Sequence, residues 1–155
     1  MKKFLLFFAL SIFFFACGGD SAKDSSSSNA PKPKSMVADE PADDGKGIGE
    51  ITHVDLNDPL DAAMVEKGKG IYEMKCAACH KLTDQRVVGP GWKGVTKIRK
   101  PEWIMNMITN ADVMLEKDPA AQELLKECLV RMPNQNISIE DARAVLEFMF
   151  QNDAG

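Results

Sequence analysis

The pentapeptide Cys76-Ala77-Ala78-Cys79-His80 constrains this chain more than any other feature. It sets two thiols one helical turn apart with an imidazole directly after the second, in a region whose apolar residues recur at helical intervals. Three uses of such a pair compete. A thioredoxin-like dithiol needs the motif after a strand in a βαβ pattern, and strand candidates are nearly absent here. A structural zinc site needs four ligands, and outside the motif and the N-terminal leader only His53 and Cys128 remain as N or S donors, at no zinc-like spacing. A structural disulfide fits poorly across two intervening residues.

The remaining reading of C-x-x-C-H is the attachment sequence for c-type haem. Cys76 and Cys79, one turn apart, reach two vinyl groups on one edge of the macrocycle and add to them as thioethers, and His80 supplies the proximal nitrogen to iron.

The rest of the chain divides into unlike pieces. Residues 1–16 carry Lys2 and Lys3 and then an apolar run from Phe4 to Ala16. That is the pattern of a secretory signal peptide, too short to span a bilayer comfortably. From Phe14 to Cys17 the segment resembles a bacterial lipoprotein leader, which implies cleavage after Ala16, lipidation of Cys17 and retention on the periplasmic side of a membrane. Residues 17–60 are dominated by Ser, Pro, Gly and Asp, with four cationic and nine acidic side chains. They offer little surface to bury, so a disordered tether is expected. Ile48, Ile51, Val54 and Leu56 leave open a short strand or packing onto the domain. The folding unit is then residues 61–155. Without the two leader lysines the chain has 17 cationic and 23 acidic side chains, a net of −6, which disfavours nucleic acid as a partner.

Within 61–155 the periodicity is all-α. Met64, Gly68, Ile71 and Tyr72 make one stripe that ends at the cysteines. Pro101 fits a helix start, with Trp103, Ile104, Met107 and Ile108 on one face. Asp118-Pro119 opens another helix, whose buried side is Leu124, Leu125, Cys128 and Leu129. Ser138 caps a last helix carrying Ala142, Val145, Leu146, Met149 and Phe150. About four helices around one flat apolar cofactor result.

The order of these features resembles the class I single-haem cytochromes c over essentially all of 61–155: Gly68, Ile71 and Tyr72, then the haem motif, Val88-Gly89-Pro90, Met132-Pro133, and a last helix with Phe148. The resemblance implies a C-terminal helix crossing the first, with glycine permitting the close approach. It also implies that the Pro90 carbonyl accepts the proximal histidine's Nδ1–H. Met132 follows a helix and precedes Pro133-Asn-Gln-Asn136, where proline blocks helix continuation, so its thioether is free to be presented from a loop. That matches the family's axial methionine, with Met105, Met107 and Met114 as rivals. Trp92 and Trp103 carry indole N–H groups that a haem propionate can accept, though a buried aromatic role is commoner. His53 reads as solvated and Cys128 as an inert buried thiol.

With His80 and Met132 both on iron, no coordination site stays open. The expected role is a membrane-tethered carrier of single electrons, not a catalyst, from a quinol–cytochrome c oxidoreductase to a terminal oxidase or nitrous oxide reductase, as a monomer. The alternative is a haem-based ligand sensor or peroxidase-like enzyme with a displaceable methionine. Residues 61–100 hold nine cationic and four acidic side chains, whereas 101–155 hold four and ten. Lys69, Lys75, Lys81, Lys93 and Lys97 are therefore expected to rim the haem edge and steer acidic partners.

Overall fold

A computed structural model describes residues 44–128 and 130–155, and these are helical apart from loops. The leader, Cys17, residues 17–43 and Leu129 lie outside the described residues. Extended backbone pairs only at an isolated bridge between His80 and Arg86 among the described residues. Those residues form six α-helices in the order α1 (Ala62–Ile71), α2 (Val95–Ile98), α3 (Pro101–Thr109), α4 (Ala111–Lys117), α5 (Pro119–Cys128) and α6 (Ile139–Ala154). The all-α expectation holds, with two elements beyond it. The short α2 carries no periodic stripe to announce it. The stretch 101–117 is split at Asn110, which leaves helical geometry (φ −148°, ψ 65°) while its side chain accepts a bond from Val113 N to start α4.

The expected starts at Pro101, Asp118 and Ser138, and one at Asp61 that was not expected, are physically explained. The Asp61 carboxylate accepts from Met64 N at 2.9 Å, that of Asp118 from Ala121 N at 2.7 Å, and the Ser138 hydroxyl from Asp141 N at 3.1 Å. Pro101 occupies the first turn of α3, where its missing N–H costs nothing. The cap of α2 comes instead from across the domain. Asp153 of α6 accepts from Gly94 N at 2.6 Å and from Thr96 N and Oγ1 at 3.0 and 2.6 Å. Burial pushes the Asp153 carboxyl up, but these bonds outweigh burial and hold it below the usual carboxylate range.

The core forms where α1 crosses α6. Val65, Gly68 and Ile71 are buried against Ala144, Val145 and Phe148, with Val65 deeper than the half-buried Met64 of the expected stripe. Gly68 sets the crossing distance: a Cβ there would overlap the Ala144 carbonyl oxygen and lie 3.0 Å from Phe148 Cβ. After Ile71 the helix passes into a single π turn, Tyr72–Cys76, closed by Ala77 N donating to Tyr72 O at 2.9 Å. Such turns recur at functional sites because one extra residue rotates the next side chains onto a different face.

Residues 44–60 correct the expected boundary, since they form a strap on the domain and not the end of a tether. Ile51 is buried, its N–H donates to Asn106 Oδ1 at 3.1 Å, and its carbonyl accepts from Asn106 Nδ2 at 2.9 Å. The same amide donates to Lys46 O. Gly47, at φ +75°, brings the backbone against Met114: a Cβ there would lie 2.7 Å from Met114 Cε. Ile48 N donates to the Met114 sulfur at 3.1 Å. At the other end the fully buried Glu147 accepts from Asn57 Nδ2 at 3.0 Å, from Asp61 N at 2.8 Å and from Arg143, which also donates to Asp55 O. Polar bonds to backbone thus replace the apolar area the composition lacks. Val54 is half-buried, whereas Ile48 and Leu56 stay exposed, and no strand forms among them. The strap covers the Glu102–Asn106 side of α3 and meets the Trp103 ring edge at Gly47, while Ile104, Met107 and Ile108, with another part of Trp103, line a cavity.

Candidate functional site

The cavity encloses about 490 Å³. Its walls are apolar side chains of α3, Leu124 and Leu125 of α5, Met149 of α6, and the segments Val88–Lys93 and Val130–Pro133. Among the described residues, three cations, Lys93, Arg99 and Arg131, reach its lining, and no carboxylate does. Cys79 and His80 stand on its wall, and the half-buried Cys76 lies one turn earlier, its carbonyl accepting from Cys79 N at 3.0 Å and from His80 N at 2.9 Å.

The imidazole is held from several sides. His80 Nδ1 donates to Pro90 O at 2.8 Å, which fixes the tautomer and leaves Nε2 as a lone-pair donor. Tyr72 Oη donates to His80 O at 2.8 Å. The Trp92 ring lies 5.8 Å from the imidazole and 4.9 Å from the Tyr72 ring, and Tyr72 in turn packs on Phe148 at 5.6 Å. Gly89 passes so near the ring that a Cβ would collide with it. Burial lowers the pKa of His80 against the opposing pull of Pro90, so the ring is neutral at pH 7, the state a metal ligand needs. Burial also pushes the Cys76 thiol up to about 11, with Lys75 pulling the other way.

Met132 is half-buried on this cavity. Two of its expected rivals are elsewhere. Met114 is fully buried with its sulfur under the strap, and Met105 faces a separate groove beside Ile51 and Met64. Met107 does line the cavity, as does Met149, which periodicity had assigned only to the core. Trp103 does not offer its N–H to the cavity: Nε1 donates to Asp118 Oδ1 at 3.0 Å. Trp92 remains on the wall. His53 is exposed and paired with Asp55 at 2.9 Å, as a solvated residue should be. Cys128 departs from the expected inert burial, being half-buried at the cavity edge with Arg86 Nη1 3.5 Å from its sulfur.

Sequence reasoning missed Tyr72 Oη, Gly89 and Trp92 as the frame of His80; the nearby aromatic and glycine types were visible, but not their contact. Among the described residues no group of three or more His, Cys, Asp or Glu side chains is placed to hold a metal ion, which leaves the zinc reading without support. The residues present do fit a haem bound through sulfur: two free thiols a turn apart, a pinned neutral imidazole, a large apolar cavity and soft thioethers on its wall.

This is the architecture of a small helical haem protein, and comparison with known proteins agrees. The family model described as Cytochrome c matches residues 65–153. Cytochrome c from Rhodothermus marinus superposes with a TM-score of 0.68 at 35% identity, covering 71% of this chain and 94% of that one. An engineered form of that cytochrome bound to a carbene intermediate gives 0.65 at 35%, covering 72% and 96%. A cytochrome c domain from Pseudomonas putida gives 0.51 at 27%, covering 56% and 88%. No curated protein matches significantly. The chain belongs to the cytochrome c family and carries covalently attached haem c.

Proposed function

We propose that this haem c electron carrier works with His80 and Met132 as its two axial ligands and is held by lipid at Cys17 on the periplasmic side of a bacterial membrane. The observation that carries the reading is that His80 and Met132 line one apolar cavity, with Met132 on a loop and its rivals on helices or away from the cavity. When bound, haem supplies one-electron oxidation and reduction at iron. The chain's own residues hold the imidazole neutral and oriented, exclude water with apolar walls and present a thioether, which raises the reduction potential. With both positions filled no site is left for substrate.

The donor is a quinol–cytochrome c oxidoreductase and the acceptor a terminal oxidase or nitrous oxide reductase. Lys69, Lys75, Lys81, Lys93 and Lys97 are all exposed, and Lys93 reaches the cavity lining, which supports a basic docking rim. The competing sensor or enzyme reading has one point in its favour, the carbene held by the engineered relative. Carbon monoxide added to the reduced protein separates the two, since a carrier refuses it and a sensor binds it promptly.

The ligand assignment has its own test. The oxidised wild type shows the weak sulfur-to-ferric-iron band, and Met132→Ala loses it. Persistence of the band in the variant would transfer the role to Met107 or Met149.

A further inference from the structure

The loop that bears Met132, residues 130–138 between α5 and α6, has few ties of its own. Asn136 N bonds Asn134 Oδ1 and Gln135 Nε2 bonds Pro133 O, but these contacts stay within the loop. Beyond the Ser138 cap of α6, the described part of the loop and the end of α5 that feeds it are tied to other elements by three cations. Arg131 pairs with Asp112 at 3.5 Å. The other two belong to the segment that carries the haem motif. Lys75, the residue before Cys76, donates from Nζ to Gln135 O at 3.0 Å. Arg86, six residues after His80, donates from Nη2 to Glu127 Oε2 at 2.7 Å and from Nη1 to the Cys128 sulfur. One cation therefore reaches the far half of the loop and the other the last turn of the helix that feeds it.

We propose that Lys75 and Arg86 are positioning residues that latch the Met132 loop to the haem-attachment segment and so keep the thioether at the iron. The proposal rests on Met132 being the axial ligand. Neither cation is itself part of the cavity lining, and Arg86 meets it only at the Cys128 sulfur on its edge, so the action is through the loop and the helix end that feeds it. The Arg86–Glu127 pair is exposed, at 41% and 60% of the two side chains, so its contribution is modest and screened by salt. An exposed contact of this kind changes the fraction of loop-open protein by about two- to fivefold. An added ligand that competes with the thioether reads that fraction directly, because its apparent affinity scales with the open population.

The test is imidazole titration of the ferric holoprotein, for wild type, Lys75→Met, Arg86→Gln and the double variant, at low salt and in 0.5 M sodium chloride, where the screening length is about 4 Å. Each single variant binds imidazole about threefold more tightly at low salt, and the double variant about tenfold. Salt reproduces most of the Arg86→Gln effect in the wild type and adds little to that variant. The salt series on the unmodified protein needs no substitution to fold. A double variant with wild-type imidazole affinity, or a wild type indifferent to salt, overturns the latch while leaving Met132 as ligand. Absence of the sulfur–iron band from the wild type, or its persistence in Met132→Ala, overturns the ligand assignment and the latch with it.

Discussion

Glu147→Leu is expected to lower the unfolding free energy by about 3–5 kcal/mol, because it strands three donors in the interior. Asp61 N, Asn57 Nδ2 and the Arg143 guanidinium all aim at this fully buried carboxylate, and leucine accepts from none of them. Glu147→Gln keeps one acceptor oxygen but loses the charge and turns an amide NH2 toward one of the donors, so it falls between the wild type and Glu147→Leu. Denaturant midpoints at unchanged slope check both. Burial raises the pKa of Glu147, but the bonds from Asp61, Arg143 and Asn57 together lower it further, so its folded value lies below its unfolded one. Its contribution is therefore complete above the unfolded carboxylate value of about 4.3 and is lost as pH falls through the folded value. The wild type loses stability across that acid window, and Glu147→Gln loses less of it.

The second large effect separates two glycines of one helix. Gly68→Leu is expected to cost about 3 kcal/mol or more, since any side chain there meets the Ala144 backbone across the α1–α6 crossing, and backbone cannot step aside as a flexible side chain does. Two residues on, Gly70 has nothing within 4 Å of an added Cβ, so Gly70→Ala stabilises by about 0.5–1 kcal/mol through helix propensity alone. Thermal melts of the holoprotein should move in opposite directions. Equal responses would show that α1 and α6 have room for a side chain between Gly68 and the Ala144 backbone.

The residues that were legible in the sequence act locally. Asp118 and Ser138 cap helices through bonds to residues three positions on, and Cys76, Cys79 and His80 lie within a single turn, so spacing alone reveals them, whereas the Asp61 cap of α1 acts at the same spacing and was not read. The strap was not legible. Gly47, Gly49 and their acidic neighbours read as solvent-loving chain, but the glycines exist to let backbone touch Met114 and Asn106, and Asn106 is a buried polar residue whose partners are 55 and 60 positions away. The break at Asn110 was hidden because Ile108 and Leu115 continue the apolar pattern across it. At the site, Met132 stood out by its proline, whereas choosing against Met114 needed the strap, and withdrawing Trp103 needed Asp118. The latch of Lys75 and Arg86 joins residues 60 and 41 positions apart, beyond the reach of any local pattern.

The central claim is that haem is bonded through the sulfurs of Cys76 and Cys79, and the mass of the mature protein made by cells with working cytochrome maturation tests it most directly. The expected product is red and heavier by one haem under denaturing conditions, with the added mass confined to the peptide that contains Cys76 to His80. A colourless polypeptide with no mass beyond its amino acids and any lipid would contradict it.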